Sequence, residues 1–189
     1  MATLAPSEAQ YTVERYFRLV DEGILGPDDR VELLEGVIVA MAPHSPAHAT
    51  GITCAAEALR DAVGKRATIR IQLTFIAGRH SAPEPDIAVV PGRVSDYRAV
   101  HPATALLLVE VADSSLAQDR VTKAALYAGA GVLEYWIVNL RNDRIEIFRS
   151  PERESRRWRE TRIAHHGERL SLVAFPDVTV AVDDLLPVH

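Results

Sequence analysis

Glu110 stands inside an otherwise apolar run, Leu106 to Val111. Apolar residues in unbroken succession, without alternation, are the pattern of a strand covered on both faces. A carboxylate in such a strand is costly unless it is ion-paired, hydrogen-bonded or bound to a metal. The chain therefore has to build a layered structure and hold a charge inside it. The preceding apolar run, Asp86 to Val90, opens on a second carboxylate and is closed by Pro91-Gly92. If the two runs are antiparallel neighbours, the start of the first lies beside the end of the second, and Asp86 meets Glu110 at one edge of the sheet. Carboxylates that close repel unless they share a proton or a cation. A hard divalent ion such as Mg2+ suits an all-oxygen site. Glu32, in the apolar stretch Val31 to Met41, is a candidate third carboxylate. The alternative is that Glu110 pairs with an arginine and Asp86 caps a turn. The pattern alone leaves both readings open.

The other elements follow from periodicity and punctuation. Thr12 to Val20 has apolar residues at helical spacing and is broken by Gly26-Pro27-Asp28-Asp29. Val31 to Met41 reads as two strand pieces around Gly36, with Glu35 as a turn residue. Ser45-Pro46 is an N-cap followed by proline at the first helical position, opening an alanine-rich helix to Val63 that stops at Gly64. Thr68 to Ile76 alternates, which places Ile69, Ile71, Leu73 and Phe75 on one face. A helix is expected over Asp119 to Ala128, and strands over Glu134 to Val138 and Arg144 to Phe148. Short strands around Trp158 to Ala164 and Leu170 to Val173 should finish the sheet, with a strand and a last turn in Val178 to Leu186. The expected fold is α/β (α+β), a mixed central β-sheet flanked by helices. No repeat or long linker divides the chain, so residues 1–189 read as a single domain.

Lys123 is unusual for its type. On the expected helix Asp119, Lys123 and Tyr127 follow at i, i+4 and i+8 and share one face. The plain reading is a surface Asp–Lys pair. Yet of 21 basic residues only Lys65 and Lys123 are lysines. An ammonium kept in an arginine-rich chain suggests a compact point charge that can approach a small oxygen. His48 falls in the first turn of the Ser45-Pro46 helix and can face the same site. His44 precedes that helix, and Pro46 between the two argues against a helical two-histidine metal pair. His165, His166 and His189 read as exposed or turn residues, and Cys54 as packing.

A net charge of −5 excludes a whole-protein basic field for nucleic acid. The segment Arg149 to Arg169 carries seven Arg against four Glu. Its alternating charge reads as a solvated hairpin, with contact to a phosphate backbone as the alternative. A single cysteine excludes an internal disulfide and a thiolate zinc cluster, and fits a cytoplasmic location. No apolar run reaches the roughly 18 residues of a membrane helix, and no secretory leader is expected at the N-terminus. Without a G-x-G-x-x-G, a Walker lysine loop or a G-x-S-x-G elbow, neither a nucleotide cofactor nor a hydrolase triad around Ser114-Ser115 is expected.

The stretches TVERYFRLV, RVELLEGVIVAMAPHSPAH, EPDIAVV, LLLVEVADSS and DRVTKAALYAGAGVLEYWIV resemble the Uma2 family, in the PD-(D/E)xK nuclease superfamily. The resemblance spans nearly the whole chain and implies the restriction-endonuclease-like fold. It implies Asp86 as the Asp of the PD motif and Glu110 as the acidic residue of the second half-motif, together holding Mg2+, with Mn2+ as a substitute. Ala112 stands where the superfamily has its lysine. In this family that lysine has moved onto the following helix, which points to Lys123. Glu32 matches the family's N-terminal Glu, His48 a frequent His at the start of the next helix, and Gln72 a frequent Gln in the third strand. The implied activity is metal-dependent hydrolysis of phosphodiester bonds in DNA, by a homodimer or higher homo-oligomer. The altered motif keeps open a catalytically inactive or regulatory nucleic-acid-binding module, and RNA remains an alternative substrate.

Overall fold

The computed structural model describes residues 10–26 and 28–187. The expectations for the N-terminal leader, for Pro27 and for His189 lie outside the described residues.

Helix α1 (Val13–Asp21) starts where Thr12 accepts a hydrogen bond from the Arg15 N–H. It leads into a hairpin of β1 (Val31–Leu34) and β2 (Val37–Ala40), then α2 (Pro46–Val63). The two-residue turn of that hairpin uses Glu35 (φ 50°) and Gly36 (φ 83°), as its twist requires. Six strands then build the central sheet in chain order: β3 (Thr68–Ile71), β4 (Ile87–Val90), β5 (Leu107–Ala112), β6 (Glu134–Asn139), β7 (Arg144–Glu152) and β8 (Arg157–Ala164). Only β5 and β6 run parallel.

Helices cover both faces, which explains the unbroken apolar runs. Leu107, Val109 and Val111 pack with Leu59 of α2, and Leu108 and Ala112 pack with Tyr127 on the other face. By alternation Glu110 belongs to the second face. The chain on that face runs as α3 (Leu116–Gln118), a π-helical turn (Asp119–Lys123) and α4 (Ala124–Ala130) without a break, and ends at Gly131 in the left-handed conformation. On the first face α2 lies tight on the sheet at Gly51. A Cβ there would come within 2.9 Å of Val111 Cγ1 and 3.2 Å of Leu140 Cδ2.

Two expectations are corrected. The strand from Thr68 ends at Ile71, because Gln72 takes φ 50° and turns the chain out of the ladder. Beyond that bend Leu73 is exposed while Phe75 is buried, so they do not share a face. The segment at Leu170 does not extend the central sheet. It forms β9 (Arg169–Leu172), paired with β10 (Phe175–Ala181) in a separate two-stranded sheet, followed by α5 (Val182–Leu185). Leu170, Leu172, Val178 and Val180 bury their shared face in the core that contains α2. Among the described residues no helix is long and apolar enough to cross a membrane.

Candidate active site

The β4–β5 register pairs Ile87 with Val109. Asp86 therefore lies one step further along, beside Glu110, as the antiparallel argument expects. Asp86 Oδ2 accepts from the Val111 N–H at 2.8 Å and lies 3.2 Å from His48 Nε2; Oδ1 accepts from Gln72 Nε2 at 3.3 Å. Burial pushes its pKa up, but the contacts with His48 and the Val111 amide outweigh this and hold it below the ordinary carboxylate value. Glu110 Oε1 accepts from Lys123 Nζ at 3.0 Å and from Tyr127 Oη at 2.7 Å. Burial pushes its pKa well up; Lys123 opposes this, and Asp86, Asp119 and Glu32 reinforce it. The arginine alternative for Glu110 is thus not realised. It describes other buried strand carboxylates instead: Glu134 pairs with Arg149, and Glu146 with Arg120 and Arg144.

Lys123 is not a surface residue. The π-turn brings both Asp119 and Lys123 to the buried side, and Lys123 is only 8% exposed. Its ammonium is also 3.7 Å from Glu32 Oε1. Burial alone would lower its pKa, but Glu110, Glu32, Asp119 and Asp86 outweigh that and hold it above the ordinary lysine value. Lys123 therefore remains an ammonium at neutral pH. Burial raises Asp119 to about 6, against the pull of Lys123 and the hydrogen bond from Ser115 Oγ. π-turns recur at functional sites because they re-aim side chains that an α-helix would present elsewhere.

Glu32 is buried, and its Oε2 accepts from the Glu84 N–H at 3.1 Å. Burial raises the pKa of Glu84 itself. His48 and Gln72 both reach Asp86, so each residue singled out in the sequence lines one cleft of 910 Å3. Glu84 has no role assigned from the sequence, and Pro46 argues there against His44 as a metal ligand; both residues line this cleft. His44 Nε2 lies 3.0 Å from Arg30 Nη2 and 3.0 Å from Gln72 Nε2, and its ring stacks on His48 at 4.6 Å. Pro46 does not separate the two histidines as expected. Ser45 is an extended N-cap (φ −72°, ψ 159°), which folds the residue before it back over the first helical turn. That signal, a histidine just before an N-cap and another three residues after it, was present in the sequence. Burial, His48 and Arg30 lower the pKa of His44, whereas the hydrogen bond to Asp86 raises that of His48. Much of the positive charge of the basic β7–β8 hairpin is ion-paired. Arg149, Arg156, Arg159 and Arg162 pair with Glu134, Glu35, Glu152 and Glu168.

A family model described as "Uma2: Putative restriction endonuclease" matches residues 13–183. Among solved structures the chain is similar to the crystal structure of a "putative nuclease belonging to DUF820" from Anabaena variabilis ATCC 29413. The TM-score is 0.73 and the identity 17%, over 93% of this chain and 97% of that one. At that identity the likeness establishes the fold, a mixed sheet between helices. No curated protein matches the chain.

Proposed function

The chain belongs to the Uma2 family, described as a "putative restriction endonuclease", and on that premise we propose that it is a metal-dependent endonuclease hydrolysing phosphodiester bonds in DNA. The observation that carries this reading is the charge on the cleft floor. Glu32, Asp86, Glu110 and Asp119 surround Lys123, the one buried cation among the described residues. That surplus of buried negative charge fits a divalent cation. Asp86 and Glu110 are the residues to hold it. Lys123 and Tyr127 both use Oε1 of Glu110, and Oε2 accepts no hydrogen bond from the described residues.

A divalent ion bound there supplies a Lewis acid to a phosphoryl oxygen and lowers the pKa of a bound water. The chain's own residues do the rest. Lys123, kept charged by its neighbours, donates a hydrogen bond to the attacking water or to a phosphoryl oxygen, where negative charge grows in the transition state. Glu32 and Glu110 fix the ammonium from two contacts. His48 and Gln72 hold Asp86 in place, and His48 is positioned to hold a phosphate or a water. Ala112 has no room for the superfamily's lysine, since it is fully buried in the core that includes Tyr127. The ammonium arrives from the covering helix instead and reaches the same carboxylate.

The test is cleavage of plasmid DNA and of RNA with Mg2+ or Mn2+, against EDTA, for the parent and for Asp86→Asn and Glu110→Gln. Metal-dependent DNA cleavage lost in both variants is expected. Cleavage of RNA alone would correct the substrate. No cleavage of either by the folded parent would leave the regulatory-module reading in its place.

A further inference from the structure

We propose that the cleft carries a second ion position, built by His44, His48 and Asp86, which takes a borderline transition ion such as Zn2+ or Co2+ rather than Mg2+. One ligand atom from each of these residues lies within 4.8 Å of the other two. The set is assembled by the fold. His44 and His48 flank the N-cap of α2 with stacked rings, and Asp86 comes from the start of β4. The side chains are already oriented toward one another, His48 Nε2 by Asp86 Oδ2 and His44 Nε2 by Gln72. Because Arg30 and Gln72 both offer N–H groups to His44 Nε2, that nitrogen presents a lone pair, and the ring proton sits on Nδ1. A metal ligand needs that tautomer.

The chemistry of the donors selects the ion. Mg2+ demands oxygen ligands and gives up its water reluctantly. Two imidazoles with one carboxylate form a set that suits Zn, Co, Ni or Fe. Asp86 would be shared with the oxygen-lined position at Glu110, so the proposal takes from the proposed function only the role of Asp86 as an ion ligand. Arg30 is exposed and competes for the same His44 lone pair. Gln72 offers its amide N–H to the same nitrogen, and His48 Nε2 is held by Asp86 Oδ2, so the ion must displace these contacts as well as that of Arg30.

The experiment titrates the EDTA-stripped full chain with Co2+, and with Zn2+ in competition, and reads ligand identity directly. Each ligating imidazole gives one hyperfine-shifted exchangeable proton resonance in the Co2+ form. The parent should show two such resonances. His44→Ala and His48→Ala should each lose one and weaken binding by more than the roughly 10–100-fold an outer partner is worth. Glu110→Gln should keep both, and Arg30→Ala should tighten binding. Circular dichroism establishes that every variant is folded. If Co2+ binds without shifted imidazole protons and is lost in Glu110→Gln, the ion is held by carboxylates alone. The proposal then fails while the nuclease reading stands. A folded parent that binds neither Co2+ nor Zn2+, or an Arg30→Ala variant that binds more weakly, also overturns it.

Discussion

Asp119→Asn should stabilise the protein at neutral pH and remove part of its pH dependence. Asp119 is almost wholly buried, and its pKa stands at about 6, against 3.8 for the free side chain. Below pH 4 it is protonated in both the folded and unfolded states. Between pH 4 and 6 the unfolded chain has released the proton while the folded protein still holds it. Stability therefore falls as pH rises through this window, and the loss is complete above pH 6. The displacement corresponds to about 3 kcal/mol. Asparagine resembles the protonated side chain and does not titrate, so it should recover most of that at pH 7.5. About 1 kcal/mol is offset by a poorer match to the Ser115 hydroxyl, now 2.6 Å from the carboxylate. The net expectation is a gain of about 2 kcal/mol at pH 7.5, shrinking to nothing or slightly reversing at pH 4. Urea unfolding of both proteins in EDTA at several pH values measures it. The difference between the two curves isolates this carboxylate from groups that titrate in both proteins. Parallel curves across pH 4 to 7, or a less stable variant at pH 7.5, would refute the idea that Asp119 is held charged at a cost.

Lys123→Arg should lower metal-dependent cleavage by about 10²–10³ and, because the site is buried, cost about 1–3 kcal/mol through overpacking. Full activity would remove Lys123 from the mechanism. Tyr127→Phe deletes a 2.7 Å hydrogen bond to a buried carboxylate and should cost about 1.5–3 kcal/mol in denaturant unfolding, so an unchanged midpoint counts against that bond. Relief of repulsion between carboxylates alone would make Asp86→Asn more stable, but the contacts of Asp86 reverse the sign. The pKa of Asp86 is lowered in the fold, so its ionised form adds stability above the unfolded value that disappears as pH falls through the folded one. The variant should melt lower than the parent at pH 7, with the gap closing in acid; an unchanged melting temperature at pH 7 counts against this reading. Gly51→Ala should lower stability by about 1–2 kcal/mol despite the better helix former, because the new methyl meets Val111 at 2.9 Å. An equal or higher unfolding midpoint would show that α2 can move off the sheet freely.

Much of this protein was legible in its residues. The unbroken apolar runs at Asp86 and Glu110 demanded a sheet covered on both faces, and antiparallel neighbours were enough to bring the two carboxylates together. The Ser45-Pro46 cap placed α2 to the residue. These features are local or follow from burial, which depends on residue type and spacing. What the sequence could not state depends on contacts between distant segments. The bend at Gln72 interrupts an alternation that looked continuous, because its side chain turns in to meet Asp86 and His44. The π-turn buries Lys123, where a regular helix pattern read equally well as a surface pair. His44 joins the cleft only because the cap folds it over His48 while Gln72 reaches it from the end of β3. Periodicity reports which face of an element is apolar. The partner a buried charge meets is set by the packing of whole elements, and only the tertiary structure decides it.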